Sequence, residues 1–381
     1  MIEHLRITFV LPGSSHVPVG GVKVVYEYAN YLSRRGHDVT VVHLALSCSD
    51  KGLRGSVVSM LRYLRRRNSF KPTSWFPIDS SVRLLWVRSP SVQNIPDGDV
   101  IVATAWPTAE WVASYPASKG RQFYLIQHLE TWTGSEQRVV ATWKLPLTKI
   151  VIAKWLEIIA TRLGESSVYI PNGIDFSKFI MRTPPEDRVS GRIMMLYHTL
   201  NWKGSADGLK ALLIVRDHVP DIRPVLFGVP GRPRGLPEWI EYIQCPSQER
   251  LRDLYNEASI FVAPSWAEGW PLPPAEALIS GAALVATDIG GHREYAVHEV
   301  TALLSPAKEP HALAANILRL LHDRDLRVRL AAQGNKFVQQ FSWERAGNAM
   351  ESLLRSDSSD TRSALATIVC PGAFEGNTSV V

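Results

Sequence analysis

The chain has 381 residues, 45% hydrophobic and 20% charged. That balance excludes a mostly disordered or fibrous protein and, at ~100–200 residues per domain, predicts two domains. Lys and Arg number 42 against 36 Asp and Glu, a net charge of +6; so modest an excess tolerates an anionic ligand or membrane surface but does not mark a nucleic-acid binder. Cys48, Cys245 and Cys370 are too few and scattered for a disulfide framework or a metal knuckle. The first residues lack a signal-peptide pattern, and no apolar run approaches the ~18 residues of a membrane span. A cytoplasmic protein is expected.

Residues 7–11 are apolar and β-branched and end at Pro12-Gly13-Ser14-Ser15, which reads as a strand and a loop. Gly20-Gly21 then precede Val22, Val25, Ala29 and Leu32, whose spacing defines a helix face, and after Gly36 residues 38–42 form a second strand. This βαβ unit predicts a parallel sheet. Residues 53–67 combine five arginines with Leu53, Val57, Leu61 and Leu64 on one helix face. They read either as a solvated surface helix or as a helix lying on the inner face of an anionic membrane. Strands over 83–87, 100–104, 123–126 and 167–170, with a helix over 147–163, complete a first doubly wound domain over residues 1–181.

Polar, Pro-rich residues 182–190 read as a linker. Strands at 193–197, 223–228, 260–263 and 283–287 then alternate with helices at 208–215, 248–257, 273–279 and 311–321, which predicts a second α/β domain over 191–340. Residues 341–355 are expected to form a helix packing back on the first domain, and 356–381 a flexible tail. Ligands of such sheets sit at the carboxyl ends of the strands, here in a cleft between the domains.

The strongest chemical signal runs from Pro264 to Leu278. Glu268 falls on a strand–helix loop and Glu276, eight positions on, about one turn into the helix, so both can face one ligand. The loop backbone at Gly269, Trp270, Pro271 and Leu272 reaches a helix N-terminus, where orphan N–H groups attract phosphate. Read without its surroundings, the pair is a solvated Glu and a helix-dipole Glu sooner than a site. His128, Trp106 and Trp132 follow first-domain strands, so they are expected to open on the cleft, with the tryptophans walling a sugar acceptor. Asp97-Gly98-Asp99 precedes a strand and Asp323-Arg324-Asp325 lies in a helical region; neither is placed to hold a metal–diphosphate, and no metal is expected. No GxGxxG follows a strand, which disfavours a dinucleotide oxidoreductase.

The stretch from Pro264 to Thr287 resembles the Glu-x7-Glu motif of the retaining glycosyltransferases of family 4. Three further segments resemble that family in the same order: Gly20-Gly21-Val22 with the following helix, Ile170-Pro171-Asn172-Gly173-Ile174-Asp175 with Phe179, and Lys203-Gly204. The resemblance covers residues 5 to about 355. It implies the α/β GT-B fold, two Rossmann-like doubly wound domains facing each other across a cleft. It also implies transfer of a sugar from a nucleoside diphosphate sugar to an acceptor hydroxyl with retention, by a front-face route, with no cofactor beyond that co-substrate. The acceptor would be a saccharide, a lipid-linked molecule or a small molecule, in polysaccharide, glycolipid or natural-product biosynthesis. By the same resemblance Lys203 would neutralise the diphosphate, Glu276 bind the ribose and Glu268 contact the transferred sugar. His128 would lie near that sugar, Gly20 and Gly21 would let backbone approach the substrates, and Cys245 would border the base. His198 stands where the family usually has Arg, which puts diphosphate stabilisation in question. An epimerase or phosphorylase of this fold, or a catalytically silent nucleotide-sugar binder, are the alternatives.

Overall fold

The computed structural model describes residues 4–45, 52–72 and 74–356. Cys48, Cys370 and all but the first residue of the expected tail lie outside the described residues, as does the side chain of Leu53.

The first lobe comprises β1 (Arg6–Leu11), α1 (Gly20–Arg34), β2 (Asp38–Leu44), α2 (Gly52–Arg66), β3 (Arg83–Val87), β4 (Val100–Ala103), α3 (Trp106–Ala113), β5 (Arg121–Ile126), α4 (Glu136–Trp143), β6 (Thr148–Val151), α5 (Lys154–Arg162) and β7 (Ser167–Tyr169). Its seven strands are all parallel, in the order β3-β2-β1-β4-β5-β6-β7. Helices cover both faces, so the central strands are apolar throughout: every residue of β4 is buried. The order reverses between β1 and β4, and the loops after these strands part there and open a crevice.

One expected element is corrected. Residues 147–163 are not one helix: Thr148–Val151 is the strand β6, and the helix begins at Lys154. Four residues, Thr-Lys-Ile-Val, are too few to show a period of their own, and the gap between β5 and β7 decides for a strand.

The second lobe comprises β8 (Arg192–Leu196), α6 (Ser205–His218), β9 (Arg223–Gly228), β10 (Glu241–Gln244), α7 (Gln248–Glu257), β11 (Ile260–Ala263), α8 (Leu272–Ile279), β12 (Ala283–Thr287), β13 (Ala302–Ser305), α9 (Pro310–His322) and α10 (Arg324–Val338). Its parallel sheet has the order β10-β9-β8-β11-β12-β13, with the reversal between β8 and β11. The final helix α11 (Trp343–Arg355) returns to the first lobe and packs on α1. Tyr31 donates to Asn348 Oδ1 at 2.6 Å, and Arg35 Nε donates to Glu351 Oε2 at 2.9 Å.

The segment joining the lobes is held by one buried cation. The Arg188 guanidinium donates to the carbonyls of Thr183, Tyr255, Ala258 and Ser280, while Arg182 and Thr183 N–H both donate to Asn256 Oδ1. Replacing Arg188 by Leu orphans several buried carbonyls at once and is expected to cost about 3 kcal/mol, read as a lower urea midpoint at unchanged slope.

Candidate functional site

The site is built where the carboxyl edges of the two sheets meet. On the second lobe, Lys203 closes a short helical turn after β8. Gly204 follows with φ +63°, and a Cβ there would lie 1.9 Å from Pro264 O, so only glycine lets this turn press against the exit of β11. That approach brings Lys203 to the β11–α8 loop. Its Nζ donates to both Glu268 oxygens at 2.8 Å, and Ser265 Oγ donates to Glu268 Oε1 at 2.9 Å. The cation assigned to the diphosphate and the carboxylate assigned to the sugar thus form one ion pair. It sits just ahead of the α8 N-terminus, where Leu272 carries the only N–H of the first three helical residues because Pro273 and Pro274 have none.

Glu276 is buried, and both its oxygens are engaged. Lys23 Nζ donates to Oε1 at 2.9 Å and Tyr255 OH to Oε2 at 3.0 Å. Lys23 stands on α1, so this ion pair crosses the cleft, with the ammonium 5.7 Å from the Phe179 ring centroid. Burial opposes the Lys23 charge, but the Glu276 carboxylate outweighs it and raises the lysine pKa. Sequence reasoning missed Lys23; the only available signal was a cation in the first turn of a helix that opens on Gly20-Gly21.

His198 does not supply the charge of the arginine it replaces. Burial, then the neighbouring Lys203, lowers its pKa. Leu200 N–H donates to its Nδ1 at 3.0 Å, which leaves Nε2–H as the ring's donor. A second imidazole, His292, was not anticipated. It follows the paired Gly290-Gly291 after β12, bonds Thr287 O through Nδ1 at 2.8 Å, and keeps a buried Nε2 without a protein partner.

On the first lobe, His128 follows β5 and packs edge-on to Trp132 and Trp155, with ring centroids 4.5 and 5.2 Å away. Both its ring nitrogens are buried without a protein hydrogen-bond partner. Burial pushes its pKa down to about 4, so the ring is neutral near pH 7. Trp132 is 44% exposed and stacks on Trp202 of the other lobe at 5.3 Å and 28°. Trp106 corrects the expectation of an indole wall. It is only 2% exposed, its Nε1 donates to Thr133 Oγ1 at 2.8 Å, and Arg138 covers its ring. It starts α3, where Glu130 caps its backbone N–H at 2.8 Å, and burial raises that carboxyl to about 7. Trp106 is therefore a core residue, and Trp132 alone lies at the cleft.

The glycines divide. A Cβ on Gly269 would fall 1.9 Å from Gln127 O, so this glycine is needed for contact between the lobes. Trp155 Nε1 also donates to Gly269 O at 3.0 Å. Gly21 lies against the Gln127 side chain, whereas a Cβ on Gly20 would meet nothing within 4 Å. Gly20 thus borders open space, with none of the described residues within reach of such a Cβ. The Trp270 indole points into the core against Tyr295 and Phe341, Pro271 O accepts from Tyr295 OH at 2.7 Å, and Leu272 is buried, so residues 269–272 can offer a ligand only their backbone. Cys245 is exposed at the end of β10 with φ +45°, its N–H held by Gly228 O at 2.8 Å.

Three of the four carboxylates in the two Asp-x-Asp patterns have structural partners. Asp99 binds Arg6 at 2.8 Å, Asp97 binds Lys119 at 2.7 Å, and Asp323 caps α10 through Leu326 N.

The two facing parallel-sheet lobes with this cleft define the GT-B fold. Anabaena Alr3699/HepE, solved in complex with UDP-glucose, superposes with a TM-score of 0.70 over 92% of this chain and 99% of its own at 16% identity. Residues 193–337 match the family model described as glycosyl transferases group 1. Among curated relatives, the D-inositol 3-phosphate glycosyltransferase of Xylanimonas cellulosilytica is 32% identical over 158 residues, 38% of each chain. That of Corynebacterium glutamicum is 28% identical over 167 residues, 40% of each chain. The chain thus spans about two fifths of the length of these relatives.

Proposed function

We propose that the protein is a retaining glycosyltransferase that moves a sugar from a nucleoside diphosphate sugar to an acceptor hydroxyl. The observation that carries this is the convergence of Lys203, Glu268 and Glu276 at the α8 N-terminus, beneath a first-lobe face that supplies Lys23 and His128. The donor diphosphate would lie between the Lys203 ammonium, His198 Nε2–H and the backbone N–H groups of Gly269, Trp270 and Leu272 at the start of α8, which together would stabilise the charge that grows on the leaving group. Ribose hydroxyls would donate to the Glu276 lone pairs left over by Lys23 and Tyr255.

In the front-face route the bond from the anomeric carbon to the diphosphate oxygen breaks, and the acceptor oxygen bonds to the same face. The leaving phosphate takes the acceptor's proton, so configuration is retained. Glu268 would be an electrostatic and positioning group for the cationic anomeric centre, and neutral His128 a hydrogen-bonding partner for a hydroxyl of the transferred sugar. No metal is invoked, because Asp97, Asp99 and Asp323 are committed to structural contacts.

A thermal-shift screen of nucleotide sugars tests the reading: a true donor at ~100 times its Kd adds ~2.7 kcal/mol of stability. Failure of every nucleoside diphosphate and its sugars to shift the melt would refute it, and the anomeric NMR signal of a product would decide retention. HepE's UDP-glucose makes the uridine series the first to try. A nucleotide-sugar binder without turnover remains the second reading, favoured by the neutral His198.

Lys23 acts through Glu276 as a positioning residue. Lys23→Met is expected to raise the donor KM about tenfold or more, the ~1.5 kcal/mol of a hydrogen bond to a charged partner, with a smaller effect on kcat. Steady-state kinetics separates this from a general loss of fold, which would lower kcat and the melting temperature together.

A further inference from the structure

The helix α2 is mounted inside out. A surface helix ordinarily turns its apolar stripe to the core and its polar face to water. In α2 the inward side is Ser59, 2% exposed, with Tyr63 against the Phe70–Trp86 cluster, while Arg62 donates to Ala45 O. The outward side is Val57, Val58, Met60, Leu61 and Leu64, between 39% and 59% exposed. Exposed Arg65 and Arg67 flank this stripe. From Lys51 to Lys71 the sequence holds seven cations and no acid.

We propose that α2 docks the protein on an anionic lipid bilayer, with the apolar stripe among the acyl chains and the arginines on the headgroups. The charge pattern selects this occupant. A second copy of the chain would bring Arg65 and Arg67 against their own kind, and the stripe has none of the aromatic anchors that dominate protein interfaces. Aliphatic side chains beneath a purely cationic rim match the boundary between headgroup and acyl layers instead. The helix also adjoins the cleft: Arg66 Nη1 donates to Ser14 O at 3.4 Å, in the loop that leads from β1 to α1. Docking itself is independent of the glycosyltransferase reading; only the corollary, that the acceptor is carried on the lipid surface, rests on it.

The test is co-sedimentation of the full chain with vesicles of phosphatidylcholine alone and of phosphatidylcholine with phosphatidylglycerol. Binding is expected to the anionic vesicles only and to weaken with salt. Leu61→Asp with Leu64→Asp, and separately Arg65→Glu with Arg67→Glu, are each expected to reduce it at least about tenfold. The thermal midpoint should hold in both variants, because these side chains are exposed. No binding of the parent protein to anionic vesicles would overturn the proposal. So would equal binding to neutral ones, or a concentration-dependent dimer that the Leu61→Asp/Leu64→Asp variant abolishes. A thermal shift by UDP in the same preparation reports on the nucleotide site separately, so the two readings can fail independently.

Discussion

Replacing Glu268 by Gln is expected to lower kcat by on the order of 10²-fold while leaving donor affinity nearly intact. Positive charge develops on the anomeric carbon only in the transition state, so a carboxylate beside it acts on kcat and hardly on ground-state binding. The ion pair with Lys203 adds a second expectation. Glu268 holds the lysine ammonium at 2.8 Å through both oxygens and would compete with a diphosphate for it. The amide is isosteric but uncharged, so Lys203 becomes easier to recruit, and UDP affinity in the variant should stay level or rise. Steady-state kinetics with calorimetry of UDP checks both. A raised KM with unchanged kcat would refute the role, and Glu276→Gln should show that opposite pattern.

Lys203→Ala is expected to weaken UDP binding by more than about tenfold, more than the loss of one charge-assisted hydrogen bond. The excess arises because the variant leaves the Glu268 carboxylate uncompensated beside Ser265, facing an anionic ligand. Adding Glu268→Gln to Lys203→Ala should therefore recover part of the lost UDP affinity. The coupling in that double-mutant cycle measures the ion pair directly. Additive effects, or unchanged affinity in Lys203→Ala by calorimetry, would remove Lys203 from the diphosphate site.

Local pattern made most of the scaffold legible. Apolar runs bounded by Gly and Pro located β1, β2, β9, β11 and β12, because buried parallel strands are apolar on both faces. The edge strand β10 escaped: Glu241–Gln244 is half polar and partly exposed and carries no continuous apolar run. Glu268 and Glu276 were legible because both belong to one strand–loop–helix unit, and Lys203 through the Lys-Gly step that resembles the family's. What crosses the cleft was not. Lys23 meets Glu276 across 253 positions of sequence, and Trp132 stacks on Trp202 from the other lobe. No local periodicity encodes how two domains face each other. Trp106 misled for a related reason: a tryptophan at a strand's end looks the same in sequence whether its ring opens on the cleft or starts a buried helix.

The return of α11 to α1 has a consequence for how the chain is made. The first lobe comes off the ribosome complete in its strands by Tyr169, yet the face of α1 that carries Tyr28 and Tyr31 packs against Trp343, Gly347 and Asn348 of the last helix. N-terminal domains ordinarily fold first during synthesis, at ~5–20 residues per second. Here that head start is incomplete: the first lobe must wait, with two tyrosines uncovered, until the whole second lobe has been translated. The crossing strands of chain are then locked together where Ile174 N–H donates to Phe341 O at 2.9 Å. The first lobe is thus not a self-sufficient cassette, and a gene fragment ending after α10 would encode it with an open flank.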